Sequence, residues 1–346
     1  MRRSLASGLL RSAIALSSLA LLATTTLTGC DSSAAGQRAQ GGHALTVGLT
    51  YVPNIQFAPF YVAQSLHYYQ DADLKVTLHH HSFTDSEFGA LKAGQEDIVY
   101  AGGDEMLQAR SQSVPVVDIA TLYHQYPVTL MVRAKSPVVT AADLKGHTIG
   151  VPGPYGETYF AMLALLQNAG LSTSDVHVQN IGFTQEAALT GNKVDAVMGY
   201  VNNDAVQFAQ AGTAVRTISP SGSTQQLPLV ADGLGATQKV LDSRSADVKA
   251  FVAATLRGVQ YCIDHPESAV RLSSSFVPGL DGKQQQTAAL AVLKATVPLL
   301  TSAGGQQPGY NDPAQWSAME QFMKAHGLLS AGSSSEAQAF SNGYLP

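Results

Sequence analysis

Leu45-Thr-Val-Gly-Leu-Thr-Tyr-Val-Pro-Asn-Ile-Gln-Phe-Ala-Pro-Phe-Tyr-Val-Ala63 opens the folded body of the chain. Leu45–Leu49 is a short apolar run of strand length, and from Ala58 to Tyr69 the apolar residues recur at helical spacing. The loop between them carries Pro53 and Asn54, both turn formers. Strand, loop and helix in that order begin a βαβ unit, and the pattern continues. Lys75–His81 alternates as a strand, Glu87–Ala93 is helical, and Asp97–Tyr100 is a strand. Glu105–Ser111 is helical again, and Val116–Leu122 closes the set as a strand. Strands separated by helices predict a mostly parallel sheet covered by helices, an α/β architecture.

Tyr126–Ala134 is a further extended run that leads into a second set. After a turn at Asp143–Gly146 come a strand at Thr148–Val151 and a helix at Glu157–Asn168, ended by Gly170. Strands at Val176–Ile181, Ala196–Tyr200 and Val215–Ile218 alternate with helices at Gln185–Thr190 and Asp204–Ala211. Beyond Leu229 the pattern turns helical, over Val240–Asp264, Glu267–Ser275, Lys283–Thr296 and Ala314–His326. A second α/β set lying inside the first predicts two lobes joined by two crossings. The expected boundaries are 44–127 plus 231–328 for lobe 1, 128–230 for lobe 2, and a C-terminal segment over 329–346. A length of 346 residues suits two domains of about 150 each.

The first 29 residues read as a secretory signal peptide. Arg2, Arg3 and Arg11 precede a short apolar stretch, Ile14–Leu22, and the run ends in Leu27-Thr-Gly-Cys30. The apolar stretch is shorter than the ~20 residues that span a bilayer. Leu-Thr-Gly-Cys resembles a bacterial lipobox, which makes Cys30 the lipidated first residue and residues 30–43, rich in Ser, Ala, Gly and Gln, a flexible tether. Removing three arginines takes the formal charge from −5 to about −8. Charged residues make up 13% of the chain, against about 25% in an average protein. The body has no Lys/Arg cluster, so no nucleic-acid partner is expected. With Cys30 acylated, Cys262 is the single remaining thiol, placed in an apolar helical run and read as a core filler.

The motifs resemble the type II periplasmic binding proteins, in the branch that handles thiamine-pyrimidine precursors, riboflavin, alkanesulfonates and nitrate. The residues that carry the resemblance are Tyr51–Ala63, Leu91-Lys-Ala-Gly-Gln-Glu-Asp97, Asp143-Leu-Lys-Gly-His-Thr-Ile-Gly-Val-Pro-Gly153, Ile181-Gly-Phe-Thr184 and Val194-Asp-Ala-Val-Met-Gly-Tyr-Val-Asn-Asn-Asp204. It covers about residues 45–270. It implies two doubly wound sheets joined by a two-segment hinge, and a lipid-anchored receptor on the outer face of the cytoplasmic membrane. That receptor works as a monomer and passes its ligand to an ABC permease and ATPase. The expected cargo is a thiamine pyrimidine precursor or riboflavin; the alternatives are an alkanesulfonate or other small anion, and a pyrimidine-synthase-like enzyme. The fungal synthases of the family carry a cysteine-rich run that this chain lacks. No catalytic residue and no cofactor is expected.

Ligands of open α/β sheets sit beyond the carboxyl ends of the strands, which points to five loops. The first offers Tyr51, Asn54, Gln56 and Phe57: two rings to stack and two amides to hydrogen-bond. The second, Gly102–Glu105, enters a helix; its N–H groups are expected to face the cleft, with Asp104 a contact or an N-cap. The third ends at Tyr126. The fourth, Pro152–Thr158, holds Tyr155, Gly156 and Glu157 at a helix N-terminus, where Glu157 repels an anion and favours a neutral or cationic heterocycle. The fifth holds Asn202, Asn203 and Asp204, suited to the edge of a pyrimidine-like ring. His79-His80-His81 is no metal site by spacing. Alternate residues of a strand face opposite ways, and two histidines fall short of the three or four ligands zinc needs.

Overall fold

The computed structural model describes residues 43–82, 85–220, 227–302, 306–330 and 338–346. The expected signal peptide, the lipidation site Cys30, the tether as far as Gly42 and residues 331–336 lie outside the described residues. His43, expected in the tether, is the first residue of a strand.

Two five-stranded sheets organise the molecule. The chain runs through β1 (His43–Leu49), β2 (Leu74–His80), β3 (Ile98–Gly102) and β4 (Val116–Thr121), then β5 (Val128–Arg133), β6 (Thr148–Val151), β7 (His177–Asn180), β8 (Ala196–Tyr200) and β9 (Val215–Ile218), and returns with β10 (Asp232–Thr237). The strand orders are β2-β1-β3-β10-β4 and β7-β6-β8-β5-β9. β1 is parallel to β2 and β3, and β6 to β7 and β8. In each sheet one strand is antiparallel: β10 between β3 and β4, and β5 between β8 and β9. These are the two strands by which the chain enters each sheet from the other. Four of the five strands in each sheet run the same way, so the sheets are mostly parallel as the sequence predicts, each with one reversed strand.

β10 is absent from the sequence reading. Asp232-Gly-Leu-Gly-Ala-Thr237 carries two glycines, residues that ordinarily weaken a strand. Close packing demands them here. A Cβ on Gly235 would come within 2.7 Å of the Met106 sulfur, and one on Gly233 within 2.5 Å of Asp118 Oδ2.

Eleven helices are described: α1 (Ala58–Ser65), α2 (Tyr68–Asp71), α3 (Gly89–Ala93), α4 (Gly103–Ser111), α5 (Gly156–Asn168), α6 (Gln185–Thr190), α7 (Asp204–Gln210), α8 (Gln238–Asp264), α9 (Pro266–Leu272), α10 (Lys283–Leu300) and α11 (Pro313–Ala325). The helix expected over Ala58–Tyr69 is broken at His67, whose φ of 59° is left-handed and ends the first segment. α5 is apolar nearly all round, with Phe160–Leu166 buried, as a helix enclosed by its neighbours must be. None of the described helices is long and apolar enough to cross a membrane.

One apolar core joins β1–β4 and β10 to α1 and α8, with the Tyr69 and Phe251 rings stacked 5.3 Å apart. A second joins β5, β6, β8 and α5 to Leu107 of α4 and to Trp316, Met319 and Met323 of α11. Cys262 is fully buried in a third, smaller core, as a filler should be. The two crossings are bonded to each other: the Leu122 and Tyr123 amides donate to the Asp232 carbonyl at 2.9 and 3.0 Å.

Candidate functional site

A cavity of about 900 Å³ lies at the carboxyl ends of the parallel strands. Its wall comes from the first sheet through Tyr51, Phe57, His81 and Tyr123 and from the second through Tyr155, Phe183, Tyr200 and Asp204. β10 is antiparallel, so its first residue, Asp232, reaches the same end and lines the cavity too. The volume is within the usual range for a small-molecule site, roughly 300–1,000 Å³.

Two helices point their N-termini at this region, and the protein occupies both. At α4 the Gly103 and Asp104 amides donate to the carbonyls of Ala231 and Val230, at 3.1 and 3.3 Å. The Gly102 amide donates to Glu105 Oε2 at 3.0 Å, and the Glu105 amide to Asp104 Oδ1 at 2.8 Å. The expectation that these N–H groups face the cleft is thus corrected: each is bonded within the protein. At α5 the Glu157 amide donates to Glu105 Oε1 at 3.2 Å. Gly156 makes room for this contact. Its φ is +72°, and a Cβ would stand 2.8 Å from the same oxygen. The seat that an external anion would take at α5 is held by the chain's own carboxylate.

The electrostatics are one-sided. The described residues lining the cavity include seven carboxyl side chains, among them Glu87, Glu105, Glu157, Asp204 and Asp232, and no lysine or arginine. Burial is the first cause of raised pKa values here, and neighbouring carboxylates add to it. Glu157 is pushed well above its ordinary range by burial, then by Asp232, Asp104 and Glu105. Glu87 and Asp104 are raised by burial and then by Glu105. Asp232 is pushed up to about 8, by burial and then by Glu105, and Asp204 to about 6 by burial. Glu157, Glu87, Asp104 and Asp232 are thereby shifted toward the protonated form, in which a carboxyl donates as well as accepts hydrogen bonds. Tyr200 donates to Glu157 Oε2, and Tyr126 donates to Asp104 Oδ2 at 2.5 Å. Glu157 Oε1 and Asp232 Oδ2 are buried without a hydrogen-bond partner in the protein.

Aromatic rings supply the apolar part. Tyr51 and Phe183, one from each side of the cavity, meet edge to face with centroids 5.7 Å apart. Phe57 packs edge to face on Tyr100 at 5.9 Å. Phe183 and Tyr155 are exposed.

Of the residues expected from sequence, Tyr51, Gln56, Phe57, Tyr155, Gly156, Glu157, Asn203 and Asp204 line the cavity. Asn54 does not; its side chain accepts from the Gln56 amide at 3.0 Å and caps the turn over Ile55–Phe57. Asp104 and Tyr126 stand behind the wall, bonded to each other. Asn202 is fully buried and donates to Thr296 at 3.0 Å and to the Tyr123 hydroxyl at 3.4 Å. The sequence reading missed Glu87, Tyr100, Phe183 and Asp232, which come from outside the five loops or from the undetected β10. His79, exposed, and His81, buried, meet on the buried Glu96, a grouping that spacing alone does not reveal.

Residues 54–269 match the family described as NMT1/THI5 like. The chain belongs to this family. It is 35% identical to the riboflavin-binding protein RibY of Chloroflexus aurantiacus over 87% of this chain and 86% of the relative. It is 24% identical to the formylaminopyrimidine-binding protein of Halalkalibacterium halodurans over 73% of this chain and 76% of the relative. Among solved structures, the periplasmic aliphatic sulphonate binding protein SsuA of Escherichia coli superposes with a TM-score of 0.66 at 16% identity, covering 86% of this chain and 91% of that one. That likeness is one of fold.

Proposed function

We propose that the chain is the ligand-capturing component of an importer for a flat, uncharged heterocyclic vitamin, with riboflavin the first candidate and a thiamine pyrimidine precursor the second. The observation that carries this reading is the placement of Glu105 at the N-terminus of α5, in a cavity whose described lining residues include no lysine or arginine. A sulfonate would find the α5 amide already taken by Glu105 and no lysine or arginine among the described lining residues to balance its charge. A neutral ring system instead finds aromatic faces in Tyr51, Phe57 and Phe183, and carboxyl and amide groups in Glu157, Asp232 and Asn203 for its polar edge. The similarity to a riboflavin-binding protein, higher than that to a pyrimidine-binding one, supports the order of candidates.

On this reading the chain is a receptor and no enzyme. Its two cysteines, Cys30 and Cys262, cannot make the cysteine-rich run of the fungal synthases. Cys30 carries lipid, the body stays at the outer face of the cytoplasmic membrane, and a permease and its ATPase take the ligand from the closed lobes. Closure follows from ligand contacts made on both sides of the cavity at once. Lobe 1 is assigned to 44–127 with 231–328, and lobe 2 to 128–230.

The test is a titration of the purified protein with riboflavin, following quenching of flavin fluorescence, beside calorimetric titrations with hydroxymethyl- and formylaminomethyl-pyrimidines, thiamine and an alkanesulfonate. Saturable binding of riboflavin with one site per chain is the expected result. Binding of the sulfonate alone would overturn the reading.

A further inference from the structure

β2 carries three successive histidines, and the strand sorts them. His80 faces one way and bonds the Tyr61 hydroxyl at 2.9 Å. His79 and His81 face the other, with ring centroids 5.4 Å apart. Glu96, in the turn that leads into β3, completes the group. Its Oε1 lies 2.6 Å from His79 Nδ1 and 2.8 Å from His81 Nε2. The carboxyl group is 1% exposed and rests on the backbone of Gly48, the residue paired with His79 across β1 and β2. A Cβ at position 48 would come within 2.2 Å of Glu96 Oε2, so only glycine leaves room for it.

The group is short of positive charge. A carboxylate taken out of water has to be paired or to coordinate a cation. No lysine or arginine among the described residues bridges to Glu96; its ion-pair partners are these two histidines. Both of them converge on one oxygen, while Oε2 is buried without a partner. Asp85, exposed nearby, adds a second negative charge that both histidines feel.

We propose that His79, His81 and Glu96 form a divalent-metal site of the zinc class at the rim of the ligand cavity. Two imidazole nitrogens and one carboxylate oxygen are the donors a borderline ion such as Zn²⁺ takes, and three protein ligands leave the fourth position for water. The three donor atoms lie within 4.8 Å of one another. His79, with its side chain 52% exposed, gives the ion a way in. On binding, each imidazole moves its proton to its other nitrogen, and His81 Nδ1, which has no hydrogen-bond partner, is free to carry it. His81 also lines the cavity, so the ion would fix the wall between β2 and the ligand.

The experiment uses untagged protein stripped with a chelator and titrated with Zn²⁺ in competition with a chromogenic indicator. The expected result is one equivalent bound and a higher unfolding temperature with zinc than without. His79→Ala, at an exposed position, should weaken zinc binding at least tenfold while its zinc-free melting curve stays that of the parent. Glu96→Gln should do the same to the zinc affinity, and His80→Ala should leave it unchanged. Absence of stoichiometric binding, an unchanged affinity in His79→Ala, or an equal loss in His80→Ala would overturn the proposal. Riboflavin binding in the zinc-free protein is measured separately, so the two readings fail independently.

Discussion

Glu105 accepts the Gly102 amide with one carboxylate oxygen and the Glu157 amide with the other, and so ties α4 to α5. A hydrogen bond to a charged group contributes about 1.5–3 kcal/mol. Because this one spans the cavity, part of that energy belongs to closure. Glu105→Ala should raise the dissociation constant for riboflavin about tenfold, read by fluorescence quenching. It should also let an alkanesulfonate bind at α5 where the parent shows none. An unchanged riboflavin affinity would remove Glu105 from the closing mechanism.

The Tyr51–Phe183 contact makes a second, apolar link across the cavity. Tyr51→Ala and Phe183→Ala should each weaken riboflavin binding, by roughly tenfold. A double-mutant cycle should give a coupling of about 0.5–1.5 kcal/mol, the ordinary value for an edge-to-face pair. Additive losses would mean that each ring meets the ligand alone.

Asn202 and Asn203 are neighbours in sequence with opposite placement. Asn202 is buried on Thr296 and Tyr123, while Asn203 lines the cavity and accepts from Gln207 at 2.9 Å. Asn202→Ala should cost about 1–3 kcal/mol of stability, since it strands buried polar groups. Asn203→Ala should leave the denaturation midpoint nearly in place and weaken ligand binding. Denaturant unfolding and titration of both variants separate the two roles.

Ionisation of Asp232 gives the cavity a pH dependence. Its carboxyl, pushed up to about 8, is protonated at pH 7 and charged at pH 9. Affinity for a neutral heterocycle that uses this proton should fall several-fold over that interval. Asp232→Asn, which keeps a donor there at every pH, should flatten the profile. A profile equally steep in the variant would assign the titration to another group.

Asp118 tests the same physics in the core. It is fully buried, its Oδ1 accepts from the Ala120 backbone amide at 2.9 Å and from Asn311 Nδ2 at 3.0 Å, and it is raised by burial from 3.8 to about 7. The folded state therefore binds more protons than the unfolded one between about pH 4 and 7. The stabilising contribution is complete below pH 4, falls as pH rises through that window, and is gone above 7. A shift of this size corresponds to something on the order of 4 kcal/mol. Asp118→Asn should lose much of the decline in stability between pH 5 and 8, measured by urea unfolding at both values.

The alternation of strands and helices was legible because each element repeats its apolar residues at its own period. All five expected loops reach the cavity for the same reason: a loop after a parallel strand has to emerge at one end of the sheet. What stayed hidden depends on neighbours distant in sequence. The glycines of β10 look like strand breakers until Met106 and Asp118 are placed against them. Asp104 and Asn202 carry the side chains of ligand contacts, and only three dimensions turn them toward Tyr126 and Thr296. Glu96 sits inside a recognised motif, yet its partners are set by the register of β1 on β2.

The place of β10 orders events during synthesis. β4 touches none of β1, β2 or β3 through backbone hydrogen bonds; it joins that sheet only across β10. The second sheet is contiguous, from Val128 to Ile218, and can close as soon as those residues are available. The first cannot: β3 and β4 each keep an unpaired edge until Asp232–Thr237 arrives. A nascent chain therefore carries two adhesive strand edges through the making of an entire neighbouring lobe. The first sheet to begin is therefore the last to be completed, after its neighbour is already built.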